Sequence, residues 1–455
     1  MRALFYVRPW TAEYFAQLGR RAFAQASYAS DFPGVGDVDL SRPFYRALAV
    51  TDGIDLPPEQ VDDIIGRCRV LRNVPTERAR GLVAAMANAI EQALDRSGPD
   101  VVLSITVDSY VVDLLRVLAE RRGIPFFGMS SFLVRGYFLV TARGERNEMR
   151  EPDPAECEQV LDTLSTEGYL PSYVRSDSSS PSRVVKRWLK EVVKYAYFPA
   201  IGVLRNDPWN YHYRASHIVA RTRGRPDVLL AGRYEERRWQ DALRDSGRPV
   251  VYVPLQYHPE CNTDYWSAAD FSDYEADVPV VLREVARNAL VLAKEHPLMF
   301  GARPLAFYRE LARIPNVVLA PRTVNSRHLI ERSDVVLAWS GSVGIEAAAA
   351  GRPVVTMGRP YYARGPLFSS IVTRAELAMI PELVRAAAAR GRASREVRLE
   401  FVRDLLAACL PGFIWSDAWS PAHRTNEELD LTARSLTRYL PAWIEWRRKT
   451  SSIVR

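Results

Sequence analysis

Short apolar runs alternate with helix-patterned stretches along this chain, and this alternation limits the fold more than any other feature. The pattern begins with "ALFYV" (residues 3–7). The segment "TERARGLVAAMANAIEQALDRSG" (76–98) has apolar residues at helical spacing, and residues 99–129 follow with the patterns of a strand, a helix and a strand. Such alternation, with short turns rich in Gly and Pro, predicts a parallel β-sheet covered by helices.

The same alternation restarts near residue 228. Five apolar runs predict its strands: residues 249–255, 291–297, 316–320, 334–340 and 353–358. We therefore expect an α/β protein with two Rossmann-like domains that face each other across a ligand cleft. The predicted limits are an N-terminal acceptor-side domain over 1–175, a linker over 176–227, a second domain over 228–400 and C-terminal helices over 401–455.

Composition and charge narrow the choice of location and partners. No window of about 18 uninterrupted apolar residues is present, and Arg8 and Pro9 break the N-terminal apolar run, so a cytoplasmic protein is expected. The net charge of +7 favours an anionic partner, but the basic residues form no stripe of the kind that binds nucleic acid. The cysteines lie far apart and predict no zinc site: Cys68, Cys157, Cys261 and Cys409.

The predicted linker contains a basic amphipathic helix over residues 183–198. Val184, Trp188 and Val192 fall on one face of this helix. Its polar side carries five basic residues: Arg183, Lys186, Arg187, Lys190 and Lys194. Two interpretations remain open, namely that the helix packs its apolar face on the protein core or that it contacts the inner membrane peripherally.

A serine-rich turn follows the strand predicted over 334–340. Ser340, Gly341 and Ser342 form the turn, and a helix of small residues comes next. Backbone N–H groups and a helix dipole at such a turn favour a phosphate, and Glu346 is placed to accept hydrogen bonds from ribose hydroxyls. The alternative is an ordinary N-capped helix. The turn lacks the Gly-Lys-Ser/Thr sequence of the nucleoside-triphosphate P-loop.

Two histidine clusters follow other strands of the same domain. "KEHP" places Lys294, His296 and Pro297 where one strand ends, and "PLQYHPE" places His258 and Glu260 after another. Because the carboxyl ends of parallel strands meet at one sheet edge, we expect these residues near the serine turn. His296 then donates to a phosphate oxygen and stabilises a leaving group, whereas the alternative is a turn that closes the strand.

The N-terminal domain offers one acidic candidate. Asp108 follows the strand in "ITVDSY" and either acts as a general base or nucleophile, or caps the next helix. Residues 136–148 have the pattern of a hairpin that turns at Arg143 and Gly144. The Asp-Val-Asp sequence at 37–39 lies in a Gly- and Pro-rich loop, so no metal site is predicted.

The motifs from "PLQYHPE" through "KEHP", "NSRHLIERSDVVLAWSGSVGIEAAAAGRPVVTMG" and "RPYY" resemble the bacterial capsule and surface-polysaccharide biosynthesis family. This resemblance covers residues 249–362. The family includes the Kdo transferases and has the GT-B fold of two facing Rossmann-like domains. The N-terminal domain matches only loosely, through "DSY", "GIPFFG" and "GYFLVTARGE", and it lacks the acidic motif of the better-known Kdo transferases.

The resemblance implies a glycosyltransferase that needs no metal or other cofactor. His296, Ser340 and Ser342 would hold the phosphate of a nucleotide-sugar, with Glu346 near the ribose and Asp108 at the acceptor side. The donors typical of Kdo and sialic acid transferases are CMP-linked. The acceptor would be a surface polysaccharide or a lipid-linked glycan, and no nucleic acid is involved.

Three alternatives remain open. A teichoic-acid type transferase would move glycerol phosphate or ribitol phosphate from a CDP donor and would need a second histidine, for which His258 is the candidate. A glycan-binding protein of capsule export would have the same fold without catalysis. A sugar-nucleotide epimerase shares the two-domain fold but resembles the chain less.

Overall fold

The structure is a computed structural model, and it describes residues 1–50, 53, 55–166, 169, 180–414 and 424–453. Within these ranges no helix is both long enough and apolar enough to cross a bilayer. The chain divides into two compact units. Unit 1 holds Met1–Pro152 and the described residues from Leu406 onward, and unit 2 holds the described residues between Asp153 and Leu405.

Unit 1 begins with alternating strands and helices. They are β1 (Arg2–Tyr6), α1 (Ala12–Ala22), β2 (Gln25–Ser30), β3 (Val38–Asp39), α2 (Ser41–Leu48), α3 (Pro58–Arg67), α4 (Thr76–Ser97), β4 (Val101–Ile105), α5 (Tyr110–Arg121), β5 (Phe126–Ser131) and β6 (Tyr137–Val140). The predicted helix over 76–98 is α4, and it ends because Gly98 takes a left-handed conformation with φ of 47°.

Unit 2 repeats the alternation with more elements. They are α6 (Pro154–Ser165), α7 (Pro181–Leu204), α8 (Tyr211–Arg223), α9 (Trp239–Asp245), β7 (Val250–Pro254), α10 (Cys261–Asp264), α11 (Tyr274–Val285), β8 (Leu290–Lys294), α12 (Leu305–Leu311), β9 (Val317–Ala320), α13 (Ser326–Arg332), β10 (Val335–Ala338), α14 (Val343–Ala349), β11 (Val354–Met357), β12 (Phe368–Ile371) and α15 (Ile380–Arg390). Helix α16 (Arg395–Ala407) leads back to unit 1, where β13 (Cys409–Pro411) and α17 (Asn426–Ile453) follow.

The sheet of unit 2 has the strand order β12-β11-β10-β7-β8-β9, and its strand pairs are parallel. The order reverses between β7 and β10, as it does in dinucleotide-binding Rossmann domains. The inner strands are apolar and buried on both faces, which is typical of a parallel sheet between helices. Ligands bind such sheets beyond the carboxyl ends of the strands at this reversal.

The sheet of unit 1 has the order β13-β6-β5-β4-β1-β2-β3. Its strands β1 to β5 pair in parallel, whereas β6 is antiparallel to both β5 and β13. Its order reverses between β1 and β4. The predicted α/β class with two Rossmann-like domains is therefore confirmed, and the predicted facing arrangement stays a prediction.

Some predicted elements differ from those observed. The hairpin predicted over 136–148 does not form. Strand β6 is followed by a turn in which the carboxylate of Glu145 accepts hydrogen bonds from the Ala142 and Arg143 N–H groups. The C-terminal region is not helical throughout, since β13 adds a strand to the unit 1 sheet. The units also divide the chain differently from the predicted limits, with 180–227 in unit 2 and 406–453 in unit 1.

Helices α7 and α8 pack against each other as an antiparallel pair. Trp188 Nε1 donates to the Gly224 carbonyl at 2.9 Å, and the rings of Phe198 and Tyr213 stack 6.1 Å apart. Val184 joins the core of unit 2. We call residues 181–224 the helical hairpin. The predicted linker helix over 183–198 is thus part of a packed element of unit 2.

Candidate functional site

The carboxyl ends of β7, β8 and β10 carry most of the predicted site residues. Gln256 and His258 follow β7, His296 follows β8, and Ser340 follows β10. Because β7 lies between β8 and β10 in a parallel sheet, these segments meet at the edge where the strand order reverses. The structure therefore gathers the three motifs that the sequence predicted to lie together.

The hydroxyl of Ser340 is already engaged. Ser340 is buried and donates to the Asn262 carbonyl at 2.6 Å, and the nearby Ser342 side chain lowers the pKa of Glu346 slightly against the larger effect of burial. The following helix α14 is only seven residues long, and Ser342 makes no side-chain cap. A long helix dipole does not contribute here, and the predicted phosphate contacts of Ser340 and Ser342 stay predictions.

Gln256 covers the backbone of this turn. With its amide in the orientation that satisfies its neighbours, the side-chain oxygen accepts hydrogen bonds from the N–H groups of Trp339, Ser340 and Gly341 at 3.1, 3.0 and 2.9 Å. A Cβ at Gly341 would come within 2.9 Å of this amide, so a larger residue there would have to displace the end of the Gln256 side chain. The amide hydrogens expected to bind a phosphate therefore face a glutamine side chain.

His296 is a half-buried imidazole with a defined tautomer. The Leu298 N–H donates to Nδ1 at 3.2 Å, so a neutral ring carries its proton on Nε2. Among the described residues Nε2 has no hydrogen-bond partner. Burial lowers the pKa of His296 to about 4, and the charges of Lys294, Arg303 and Arg187 act in the same direction. At neutral pH the ring is an uncharged N–H donor.

Basic side chains surround His296. Lys294 is buried at the end of β8, and its Nζ donates to Ser326 Oγ at 2.8 Å and to the Val324 carbonyl at 2.9 Å. Arg187 of α7 donates to the Phe300 carbonyl. Arg223 of α8 donates to the His258 carbonyl at 2.6 Å. The site therefore carries an excess of positive charge that suits an anion.

Glu346 and Lys294 interact through their charges. Burial raises the pKa of Glu346 to about 7, and the charges of Lys294 and Arg327 oppose this rise. Burial likewise lowers the pKa of Lys294 to about 8, against the charge of Glu346. Both groups consequently change charge close to neutral pH. The predicted ribose contact of Glu346 stays a prediction.

A buried ion-pair network holds the segments that follow β7 and β8. Arg303 Nε donates to the Glu295 carboxylate at 2.8 Å, and a second guanidinium nitrogen donates to the Gln256 carbonyl. Glu295 also accepts from the Tyr308 hydroxyl and from the His296 backbone N–H, both at 2.7 Å. One network thus fixes the backbone of both His296 and Gln256.

The remaining candidates of unit 2 are engaged by their neighbours. The His258 ring stacks on Tyr274 at 5.5 Å, and its Nδ1 lies 3.1 Å from Thr263 Oγ1. The Glu260 carbonyl accepts a hydrogen bond from the same hydroxyl at 2.9 Å. Pro297 is half-buried in the turn after β8. These contacts position the loop after β7, and the catalytic roles predicted for His258 and Glu260 stay predictions.

Asp108 lies in unit 1 at the corresponding edge of the other sheet. Arg8, which follows β1, donates to both carboxylate oxygens of Asp108 at 2.5 and 2.7 Å. Arg8 is buried, so the carboxylate neutralises a guanidinium inside the unit. Ser109, and not Asp108, caps α5 by accepting from the Val112 N–H. The predicted capping role of Asp108 is therefore wrong, and its catalytic role stays a prediction.

The sequence did not single out Gln256, Glu295, Arg303 or Arg223. Gln256 lies in "PLQYHPE" and Glu295 lies in "KEHP". Their position just after a strand could have identified them as site residues. Arg303 lies in the same loop as His296, just before α12, and Arg223 reaches the site from the end of α8. Neither position directly follows a strand, so the sequence carried no local signal for them. Among the described residues no three His, Cys, Asp or Glu side chains gather as metal ligands; the predicted absence of a metal from the reaction stays a prediction.

A family model described as "Capsule polysaccharide biosynthesis protein" matches residues 182–367. The predicted resemblance to this family is confirmed over that segment. The matched range contains the helical hairpin from its second residue onward and the strands β7 to β11, and so includes the gathered site. A search of curated proteins found no match to the chain.

Solved structures with similar architecture were also found. One is the KpsC beta Kdo 2,7 transferase from Thermosulfurimonas dismutans. It is 12% identical to this chain, the match covers 96% of this chain and 99% of that chain, and the TM-score is 0.38. The KpsC beta Kdo 2,4 transferase from the same organism is 14% identical, over 68% of this chain and 80% of that chain, with a TM-score of 0.31. UDP-GlcNAc 2-epimerase from Methanocaldococcus jannaschii shows 13% identity over 89% and 98%, with a TM-score of 0.25. Likeness at these values carries no inference about substrate.

Proposed function

We propose that the chain is a glycosyltransferase of capsule polysaccharide biosynthesis. It transfers a sugar from a nucleotide donor to a glycan or glycolipid acceptor. The donor phosphate lies at the carboxyl edge of the unit 2 sheet, beside His296. The donor is a CMP-linked acidic sugar such as Kdo.

One observation carries the proposal. His296 is held as a neutral N–H donor at the point where the strand order reverses, because burial lowers its pKa and the charges of Lys294, Arg303 and Arg187 act in the same direction. An imidazole among cations, with its proton on Nε2, matches the needs of a phosphate oxygen. The family match over residues 182–367 supports the assignment to capsule polysaccharide biosynthesis.

The chemistry requires stabilisation of a departing phosphate. The bond between the anomeric carbon and the phosphate oxygen breaks, and its electron pair stays on that oxygen. The acceptor hydroxyl oxygen bonds to the anomeric carbon and loses its proton to a base. Fixed donors and cations at the phosphate stabilise the developing charge, and in this proposal His296 and the surrounding basic residues supply them without a metal.

A thermal-shift panel tests the donor assignment. The protein is melted with CMP, CDP, UMP, UDP, GDP and ADP, each with and without magnesium. A ligand that binds only the folded state raises its stability by about 2.7 kcal/mol at a hundredfold excess over the dissociation constant. We expect CMP to raise the melting temperature without magnesium, and His296→Ala to abolish that shift.

The other outcomes decide between the alternatives. A shift with CDP alone favours the alditol-phosphate transferase, and a shift with UDP alone favours a neutral-sugar donor or an epimerase. A shift that appears only with magnesium contradicts the metal-free chemistry. If no nucleotide shifts the melting temperature, the donor site is refuted and a glycan-binding protein becomes the better interpretation.

A further inference from the structure

The outward face of α7 is apolar, which is the reverse of the usual arrangement on a surface helix. Its exposed small and apolar residues follow each other at spacings of three and four: Val185, Leu189, Val193, Ala196, Ala200 and Val203. We call them the α7 stripe. The exposed fractions reach 52% for Leu189, 65% for Val193 and 70% for Val203. This spacing places the stripe along one side of the helix.

The opposite side of α7 is the one that packs. Val184 and Gly202 are buried, and Phe198 contacts α8. Glu191 is also on this side, buried and paired with Lys194 at 2.7 Å. Packing against unit 2 and α8 therefore accounts for one face of the helix and leaves the stripe uncovered. Contiguous exposed apolar surface of this kind marks an interaction site.

Basic residues border the stripe. Arg183, Lys186 and Lys190 are exposed along one edge, and Arg205 is exposed just beyond the last turn. Three of the five lysines in the chain lie on α7. Tyr195 and Tyr197 are also exposed, and such side chains favour the boundary between water and lipid.

The charge of the helical hairpin is one-sided. It contains nine Lys and Arg residues against two acidic ones, a net charge of +7 that equals the net charge of the whole chain. The rest of the chain is thus neutral overall. Both acidic residues, Glu191 and Asp207, are buried. The surface of the hairpin consequently presents positive charge without exposed carboxylates.

We propose that the α7 stripe docks on an anionic membrane surface. Lipid chains cover the apolar side chains, and lipid headgroup phosphates neutralise the flanking lysines. A second copy of the chain fits less well, because a symmetric contact would bring the same basic residues together with no acidic partner. This inference goes beyond the proposed function and does not depend on the nucleotide site.

Vesicle flotation tests the proposal. The full chain is mixed with vesicles of phosphatidylcholine and phosphatidylglycerol in equal parts, or of phosphatidylcholine alone. We expect the protein to float with the anionic vesicles only, and less so as salt is raised, because salt screens the attraction. Lys186→Gln with Lys190→Gln should weaken binding by about fivefold for each charge removed.

The apolar contribution is tested in the same assay. Leu189→Gln with Val193→Gln should reduce binding by about tenfold or more, because both side chains enter the lipid interface. Leu230→Gln is the matched apolar control, since Leu230 is 51% exposed outside the hairpin. Arg385→Gln is the charge control, on the exposed surface of α15. Unchanged melting curves show that the variants fold.

Two results would overturn the proposal. The first is a failure of the flotation test: either the wild-type protein does not bind anionic vesicles, or the α7 variants bind them as well as the wild type does. The second is a dimer in sedimentation velocity that becomes a monomer in Leu189→Gln with Val193→Gln. That second result would assign the stripe to a protein interface instead of a membrane.

Discussion

The side-chain oxygen of Gln256 accepts a hydrogen bond from the Ser340 N–H at 3.0 Å. This contact joins the segment after β7 to the turn after β10, across the reversal of the strand order. A phosphate bound by the turn would compete for the same amide hydrogens. A donor phosphate therefore either displaces Gln256 or binds beside it, nearer to His296.

Gln256→Ala is expected to lower stability and raise nucleotide affinity. The substitution removes the acceptor shared by three N–H groups, and leaving buried donors without one costs about 1–3 kcal/mol. The same change exposes the turn to a phosphate. Urea unfolding and a calorimetric titration with CMP measure the two effects. Gln92→Ala, on the surface of α4, is the control and should shift stability by less than about 0.5 kcal/mol. Lower stability with weaker CMP binding would show that Gln256 itself contacts the ligand.

His296→Ala is expected to abolish donor turnover with little effect on the melting temperature. The ring contributes one hydrogen bond from the Leu298 N–H and is only half-buried, so its structural share is small. Loss of a hydrogen bond to a charged phosphate should weaken nucleotide binding by about 1.5–3 kcal/mol. His328→Ala on α13 serves as the control, since His328 is likewise a half-buried histidine. If His296→Ala unfolds the protein, the imidazole is a structural element of the turn after β8.

Nucleotide affinity should fall in two steps as the pH rises. Glu346 gains a negative charge near pH 7, and Lys294 loses its positive charge near pH 8, so both steps disfavour an anion. A phosphodiester of CMP is the suitable ligand, because its charge is constant in this range. Glu346→Gln should remove the lower step and Lys294→Gln the upper one. If the nucleotide affinity of the wild type does not change with pH, the charges of Glu346 and Lys294 do not act on the bound nucleotide.

The same pKa shifts predict opposite effects on folding. The pKa of Glu346 is raised from 4.5 to about 7, so the folded state binds more protons than the unfolded state in that window, and the contribution of Glu346 to stability falls as the pH rises. The pKa of Lys294 is lowered from 10.5 to about 8, so its contribution rises with pH between those values. Urea unfolding of Glu346→Gln and Lys294→Gln across both windows checks the signs.

Arg303→Met is expected to destabilise unit 2 strongly. Arg303 and Glu295 are both buried, and removing the guanidinium leaves a carboxylate without its charge partner, at a cost of about 3–5 kcal/mol. Adding Glu295→Gln should recover part of the loss. Arg283→Met breaks an exposed pair with Glu310 and should cost less than about 1 kcal/mol. Equal losses for Arg303→Met and Arg283→Met would contradict a special role for the buried network.

Much of the fold follows from local sequence pattern. The runs that became β1, β4, β8, β9 and β11 are apolar and flanked by turns, and parallel topology then brings His296 and Ser340 to one edge. The contact of Arg303 with the Gln256 carbonyl spans 47 residues and has no local signature. Helix α7 shows a further limit. Its sequence indicated Val184, Trp188 and Val192 as the packed face, yet Val192 is exposed because the buried face is turned toward Gly202 and Phe198.

Unit 1 is completed by residues from the far end of the sequence. Tyr14 donates to the Phe413 carbonyl at 2.6 Å, β13 pairs with β6, and the Trp443 ring meets Phe127 at 5.1 Å. A ribosome makes all of unit 2 before it makes β13 and α17. The nascent chain therefore carries unit 2 inserted in an unfinished unit 1, and the edge of β6 has no β13 to pair with until all of unit 2 has been made.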